Sequence, residues 1–165
     1  MGFKMKGPSL YRNKSAFTAK KKKVSPNFDK NFTSLSESKS PVFRKSLDEG
    51  VLGEANNDGT IFVDKSVPKN SPLEAEVVAH EQKHIDDMKA KIKIPGKKNK
   101  VKKLDYGDNF VIYRGKRLKR KDGMIEHPKT GEMKPEGDTS FPWEQAAYRA
   151  GNKARKEAEK KIWVY

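Results

Sequence analysis

The chain has 165 residues, of which 37 are Lys or Arg and 22 are Asp or Glu, and it contains no Cys. At roughly 100 to 200 residues per domain, this length fits one compact domain with a tail. The absence of Cys excludes disulfide scaffolds, Cys-ligated zinc modules, iron–sulfur clusters and thiol nucleophiles, so any metal has to be bound by His, Asp or Glu. Because only 33% of the residues are hydrophobic, we expect part of the chain to lie outside any core.

Residues 1–45 form a strongly basic segment, with twelve Lys or Arg and only two acids. Its net charge is +10, against +5 for residues 46–165. Five of its aromatic residues are scattered and show neither helical nor strand periodicity; they are Phe3, Tyr11, Phe17, Phe28 and Phe32. We therefore predict an extended or disordered basic arm over 1–45 and a folded domain over 46–165. The arm is either a solvated tail or binds an acidic partner, which is a larger protein assembly or nucleic acid.

No apolar stretch approaches the roughly 18 residues that span a bilayer, and the start of the chain lacks the apolar core of a secretory signal. We therefore predict no membrane partner. The first nine residues, MGFKMKGPS, resemble short N-terminal segments of phage-encoded virion proteins. That resemblance implies a virion-associated protein, located in the phage particle or in the host cytoplasm.

The first elements of the body lie between residues 56 and 95. The run Asn-Asn-Asp-Gly at 56–59 predicts a turn, and the β-rich run at 60–64 predicts a short strand. Ser71 followed by Pro72, with acids in the next turn, predicts the start of a helix, because such a serine caps the first amides and proline fits the first position. We expect this helix to continue to about Ile92 and to stop before Pro95.

The later elements are a hairpin and a second helix. Residues 109–113 and 116–118, joined by Arg114-Gly115, predict a β-hairpin. The last helix is predicted to begin between Ser140 and Glu144 and to run to about Lys161. These elements together predict an α+β domain with two helices and a short antiparallel sheet or hairpin.

The helix predicted over 71–92 contains the pattern His80-Glu81-Gln82-Lys83-His84. Two histidines four residues apart lie one helical turn apart on the same face, so both imidazoles can bind one ion. Glu81 projects about 100° around the helix from His80. The pattern therefore predicts a metal site, with a carboxylate beside it.

The apolar residues of this helix show which way that face points. Val77, Val78, Ile85 and Met88 fall within one arc of about 100°, which should face the core. Glu81 falls within this arc and His84 at its border. An unpaired carboxylate or imidazole there would cost several kcal/mol, on the order of the penalty for burying an uncompensated polar group. A bound divalent cation would supply the compensation. The alternative is an ordinary amphipathic helix whose two histidines are satisfied by other hydrogen-bond partners and bind no metal.

His80, Glu81 and His84 match the HExxH motif of zincin metallopeptidases, and this chain resembles that family strongly over the helix and in outline over the rest of the body. The resemblance implies a zincin-like domain that binds Zn²⁺ and hydrolyses peptide bonds with an activated water. In zincins, the residue matching Glu81 is the general base. It also implies that an edge strand beside the helix pairs with extended substrate; the residues placed to do so are Thr60, Ile61, Phe62 and Val63.

A catalytic zinc has three protein ligands and one open position. The metzincin branch would need a His six residues after His84, where this chain has Ala90. The remaining candidates for the third ligand are Glu144, His127, Asp87 and Glu74. We favour Glu144, because it lies in the first turn of the last helix and shares a face with small residues that allow close helix packing. This arrangement resembles the glutamate-ligand zincins. A first-turn glutamate that only complements the helix dipole is the alternative.

Three further residues receive accessory roles. His127 and Tyr148 are candidates for stabilising the oxyanion, and Asp87 is a candidate hydrogen-bond partner of a ligating histidine. The rival to an enzyme is a virion structural protein with a structural or relic zinc site. In that case the arm contacts capsid or tail proteins, or packaged nucleic acid.

Overall fold

The computed structural model describes residues 39–162; residues 1–38 and 163–165 lie outside the described part. The described part contains ten strands and two helices, which confirms the predicted α+β class. The strands are β1 (Val42–Lys45), β2 (Gly53–Ala55), β3 (Ile61–Asp64), β4 (Lys91–Ile92), β5 (Val101–Lys102), β6 (Leu104–Tyr106), β7 (Phe110–Tyr113), β8 (Lys116–Lys121), β9 (Met124–Glu126) and β10 (Met133–Pro135). The helices are α1 (Pro72–Lys89) and α2 (Pro142–Ile162).

The first sheet has three strands in the order β1-β3-β2, with β1 parallel and β2 antiparallel to β3. The predicted turn at 56–59 joins β2 to β3, and Gly59 adopts a φ of 86°, which favours glycine. Strand β1 corrects the expected domain boundary at residues 45/46. Residues 42–45 pair along the whole of β3, so the folded body begins at or before Val42.

Helix α1 begins as predicted. The Ser71 hydroxyl accepts a hydrogen bond from the Glu74 amide at 3.1 Å, and Pro72 occupies the first turn. The helix ends at Lys89, three residues before the expected end at Ile92. The helix ends earlier because the residues that follow it form β4, which pairs with β5. The Ala90 carbonyl accordingly accepts a hydrogen bond from the Lys103 amide at 2.8 Å.

The second sheet is an antiparallel meander in the order β10-β9-β8-β7-β6. The predicted hairpin at 109–118 is confirmed as β7 and β8, with Arg114 and Gly115 at φ 50° and 83° in its turn. Two positive φ values in a two-residue turn match the twist of the flanking strands. Asp122 and Gly123 repeat this geometry at φ 52° and 74°, and they join β8 to β9.

Two apolar clusters lie on either side of Met88, which packs against both. The first joins α1 to the three-stranded sheet; its buried members are Ala55, Ile61, Val63, Val67, Val77, Val78 and Ile85. The second joins the meander to the start of α2; its buried members are Leu104, Tyr106, Val111, Leu118, Ile125, Phe141 and Trp143. The helix α1 is therefore held between two sheets, with α2 across it.

Over residues 39–162, neither helix is long and apolar enough to cross a membrane. The predicted basic arm lies outside the described part except for residues 39–45, and so do Phe3, Tyr11, Phe17, Phe28 and Phe32.

Candidate metal centre

The two helices approach each other closely at Gly151. A Cβ added at this position would lie 2.8 Å from the Glu76 carbonyl oxygen and 3.5 Å from the His80 Cβ. Ala147 and Ala158 on the same face of α2 are also buried. Arg155 of α2 donates to the Glu76 carboxylate of α1 at 3.1 Å. Because Ala147, Gly151 and Ala158 are small, the first turn of α2 can lie against His80 and His84.

His80, His84 and Glu144 converge at this crossing, as predicted. The two Nε2 atoms are 3.2 Å apart, and the Glu144 Oε2 atom lies 3.6 Å from that of His80 and 3.5 Å from that of His84. Two ligand atoms about 2.0 to 2.1 Å from a tetrahedral zinc ion are about 3.3 Å apart. The three atoms therefore form nearly the triangle that one small ion requires.

The three residues suit a cation not only by the spacing of their ligand atoms but also because they are buried with polar atoms that lack hydrogen-bond partners. His80, His84 and Glu144 are each at most 1% exposed, and neither Glu144 oxygen has a hydrogen-bond partner among the described residues. A buried carboxylate without a partner costs free energy, which an ion would offset. The three residues together can hold a metal ion. The Nδ1 atoms of both histidines also have no hydrogen-bond partner among residues 39–162, so no hydrogen bond at Nδ1 fixes the ring orientations there.

Electrostatics within the group favour an ionised Glu144. Burial by itself raises the pKa of this carboxyl, but the attraction of the neighbouring His84 and His80 rings outweighs it and lowers the pKa to about 2. Glu144 is therefore an anion facing two imidazoles, which is the state in which a carboxylate ligates a metal.

Glu81 lies beside the three ligand atoms and behaves differently from Glu144. Burial raises the pKa of Glu81 to about 8; the nearby His80 opposes this shift and the charges of Glu144 and Glu54 reinforce it. Its carboxylate is hydrogen-bonded to the Ala55 backbone amide, while its Oε2 has no partner among residues 39–162. A Cβ added at Gly53 would lie 2.9 Å from the Glu81 Oε1, so only glycine leaves room for this side chain.

Tyr148 stands next to the metal ligands, as its predicted oxyanion role requires. Its ring meets the His80 ring edge-on, with centroids 4.6 Å apart. Burial and the nearby carboxylates of Glu144 and Glu81 raise the pKa of its phenol above the ordinary value of 10. The hydroxyl therefore stays protonated and can donate a hydrogen bond.

His127 is not part of the group, which corrects both roles considered for it. Its Nε2 lies 3.3 Å from the Ser140 carbonyl oxygen, and its Nδ1 accepts from the Thr130 amide at 3.2 Å. The ring also packs against Phe141 at 5.6 Å between centroids. Both ring nitrogens are thus engaged in holding the β9–β10 loop against the start of α2.

Asp87 and Glu74 also have other partners. The Asp87 carboxylate binds the ammonium groups of Lys83 and Lys103, the latter at 2.8 Å, and so contacts neither metal-ligating histidine. Glu74 pairs with Arg44 at 2.8 Å and accepts from the Asn70 amide at 2.7 Å. The alternative third ligands therefore lie outside the group, and the predicted hydrogen bond from a ligating histidine to the Asp87 carboxylate is wrong.

The predicted substrate strand is also wrong. Of its four residues, Ile61, Phe62 and Val63 belong to β3, and Thr60 precedes it. Strand β3 lies between β1 and β2, so its backbone groups are already paired on both sides and cannot pair with a substrate. The strand that lies against Glu81 is β2, and all three of its residues are buried.

Residues 53–55 are the part of the site that the sequence pattern did not indicate. A three-residue strand, Gly-Glu-Ala, shows no β pattern of its own. The turn at 56–59 was the available signal, because a strand that follows such a turn usually pairs with the segment before it.

Comparisons with models of protein families, with curated proteins and with solved structures find no match to this chain. The inferences about its chemistry therefore rest on the geometry of these residues.

Proposed function

We propose that the protein is a zinc-dependent metallopeptidase whose metal ligands are His80, His84 and Glu144 and whose general base is Glu81. The observation that carries the proposal is the combination of three protein ligands with a separate buried carboxylate beside them. Structural zinc sites fill four positions with protein ligands, whereas catalytic sites use three and leave one open. A purely structural site would also have no use for Glu81, whose burial costs free energy.

A zinc ion, when bound, would lower the pKa of water at the open position toward about 7 and polarise the scissile carbonyl. Glu81 accepts the proton of the attacking water and passes it to the leaving amine. Tyr148 donates a hydrogen bond from its phenol to the carbonyl oxygen as negative charge develops there. Glu144 and the two histidines remain in place throughout, fixed by the packing of α1 against α2.

The second candidate is a structural metal site that joins α1 to α2 in a virion protein. The observation in its favour is burial, because His80, Glu81, His84 and Glu144 are each at most 2% exposed. In this case the ion stabilises the fold and no substrate reaches it.

Glu81→Gln separates the two candidates. The zinc-loaded full-length variant should bind one zinc ion and melt close to the wild type, while its hydrolysis of unfolded casein or a peptide mixture falls by about 10² or more, the scale of a lost general base. Wild-type activity should disappear with a chelator and return with zinc. The matched control is Glu74→Gln, which removes a buried carboxylate on the same helix outside the site. Equal hydrolysis by wild type and Glu81→Gln would contradict the catalytic proposal and favour the structural one.

The proposal extends to the partner of residues 1–45. Their net charge of +10 and spaced aromatic residues favour attachment to a larger assembly, of the kind that the resemblance of the first nine residues to phage virion proteins implies. Packaged nucleic acid is the other acidic partner that this charge suits. The reaction would then take place at the surface of that assembly, on a peptide or protein substrate.

A further inference from the structure

Strands β4 and β5 form a two-stranded ribbon with a large positive charge, and none of its lysines belongs to the metal site. The segment 88–104, which contains β4 and β5, has eight lysines and no acid. Its exposure alternates along both strands: Lys91, Lys93, Lys100 and Lys102 are exposed, whereas Ile92 and Val101 are partly buried. The four lysines therefore share the outer face of the ribbon, which is called the lysine face below.

The strand register places like charges opposite each other on this face. Lys91 is the cross-strand partner of Lys102, and Ile92 is that of Val101. Continuing the register by one step places Lys93 opposite Lys100. Like charges directly across an antiparallel pair destabilise it. The only acid that pairs with these lysines in the described residues is Asp105, which contacts Lys102 at 3.0 Å in an exposed ion pair.

The basic surface continues beyond the ribbon. A Cβ added at Gly115 would overlap Ile94 Cδ1, and the Arg114 amide donates to the Lys103 carbonyl at 2.8 Å. The ribbon therefore packs beside the turn between β7 and β8. The segment 109–121, which includes this turn, has six Lys or Arg and no acid, and five of these six are exposed; they are Arg114, Lys116, Arg117, Lys119 and Lys121.

We propose that the lysine face, together with the adjoining β7–β8 turn, binds the phosphate backbone of double-stranded DNA. The binding by the lysine face is independent of base sequence, because its exposed side chains are all lysines, which contact phosphates as point charges. Bound phosphates relieve the repulsion between the facing lysines. This site shares no residue with the N-terminal segment 1–45 or with the metal centre.

Two observations favour a duplex over other polyanions. Single-strand binding sites use aromatic side chains on which bases stack, and the segment 88–104 contains no aromatic residue. A two-stranded β-ribbon is also of a size that the major groove of about 12 Å admits. An acidic protein partner offers fewer and more widely separated charges than the one per roughly 1.7 Å of a duplex.

The test compares two full-length variants that lose the same charge. The ribbon variant carries Lys→Gln at 91, 93, 100 and 102. The control variant carries Lys→Gln at 153, 156, 160 and 161, four residues on α2 of which all are exposed. Binding to a fluorescein-labelled 25-base-pair duplex is measured by anisotropy between 50 and 200 mM salt. The N-terminal segment is the same in both proteins, so it cancels in the comparison.

The ribbon variant should bind the duplex at least about tenfold more weakly than the control variant does. Its plot of log affinity against log salt concentration should also be less steep, by up to ~3.6. This value is about 0.9 for each of the phosphates that the four lysines no longer neutralise. Equal weakening in the two variants would show a response to net charge alone and would overturn the proposal. So would a weakening that is larger for a single strand of the same length, or displacement of the duplex by polyglutamate at equal charge concentration.

If the ribbon variant does not fold by circular dichroism, Lys91→Glu replaces it. This substitution places a carboxylate opposite Lys102 and forms an attractive pair across the ribbon. It should therefore stabilise β4 and β5 and still weaken duplex binding, against Lys153→Glu as its control. Unchanged binding in Lys91→Glu would overturn the proposal.

Discussion

Replacing Glu144 by Met should lower the stability of the metal-free protein and lower that of the zinc-loaded protein further. Glu144 is fully buried, and its Oε2 atom lies 3.6 Å from the His80 Nε2 and 3.5 Å from the His84 Nε2. Met has nearly the same length and no charge. The metal-free variant therefore keeps the packing but loses the favourable interaction of the ionised carboxylate with the two imidazoles.

The magnitudes follow from burial and from mass action. A carboxyl whose pKa falls from 4.5 to about 2 on folding contributes up to about 3 kcal/mol of stability at neutral pH, and this contribution is lost as the pH falls through that range. We expect the metal-free Glu144→Met protein to lose part of this contribution. With free zinc at 100 times its dissociation constant, the wild type should gain about 2.7 kcal/mol, and the variant should gain much less because it has lost one of three ligands. The stability difference between the two proteins should therefore increase on adding zinc, by up to about 2.7 kcal/mol.

Urea unfolding of both proteins, with a chelator and with a fixed free zinc concentration, measures these four free energies. Glu74→Gln is the control: it should lower stability through the loss of its pair with Arg44, and it should leave the gain from zinc unchanged. A Glu144→Met protein that gains as much from zinc as the wild type does would refute the assignment of Glu144 as a ligand.

Two further substitutions test the packing and the surroundings of the site. Gly151→Ala should lower the free energy of unfolding by about 1 to 3 kcal/mol, despite the better helix propensity of alanine, because its Cβ would lie 2.8 Å from the Glu76 carbonyl oxygen. Gly151→Ala should also weaken zinc binding. The control Asn152→Ala, on the exposed side of α2, should change neither the free energy of unfolding nor the zinc affinity in this way. A Gly151→Ala protein that is more stable than the wild type would contradict the close helix crossing. Asp87→Asn should cost about 1 to 3 kcal/mol by leaving Lys83 and Lys103 without their carboxylate, with zinc affinity by calorimetry unchanged. A decrease in zinc affinity of about 10-fold or more would show that Asp87 supports a ligand after all.

The two histidines of the metal group could be predicted because the sequence pattern that indicates them lies within one helix. The spacing of His80 and His84 needs only the geometry of one helix. The third ligand required a long-range inference, and it succeeded because the small residues of α2 that follow Glu144 indicate a close helix crossing. The other partners of His127 and Asp87 could not be predicted, since they depend on hydrogen bonds from Thr130 and on Lys103, which is distant in sequence from Asp87 and lies between β5 and β6.

The sheets were predicted less completely than the helices. Most of the strands have only two to four residues, too few to show an alternating pattern, and seven of the ten strands escaped prediction for this reason. Asp122-Gly123 was a usable hairpin signal for β8 and β9, since Asp-Gly favours two successive positive φ values. The parallel pairing of β1 with β3 had no local signal, because residues 42–45 follow a basic, Ser-rich segment and their strand forms only by contact with β3. This pairing is also what makes β3 a central strand.

The metal content of the full-length protein tests the central claim most directly. The protein should be produced without a histidine tag, exchanged into metal-free buffer after loading with zinc, and assayed by elemental analysis beside the double variant His80→Ala, His84→Ala. The geometry of His80, His84 and Glu144 predicts one zinc ion per wild-type chain and essentially none in the folded double variant. A wild-type protein without bound metal, or equal metal content in the two proteins, would contradict it.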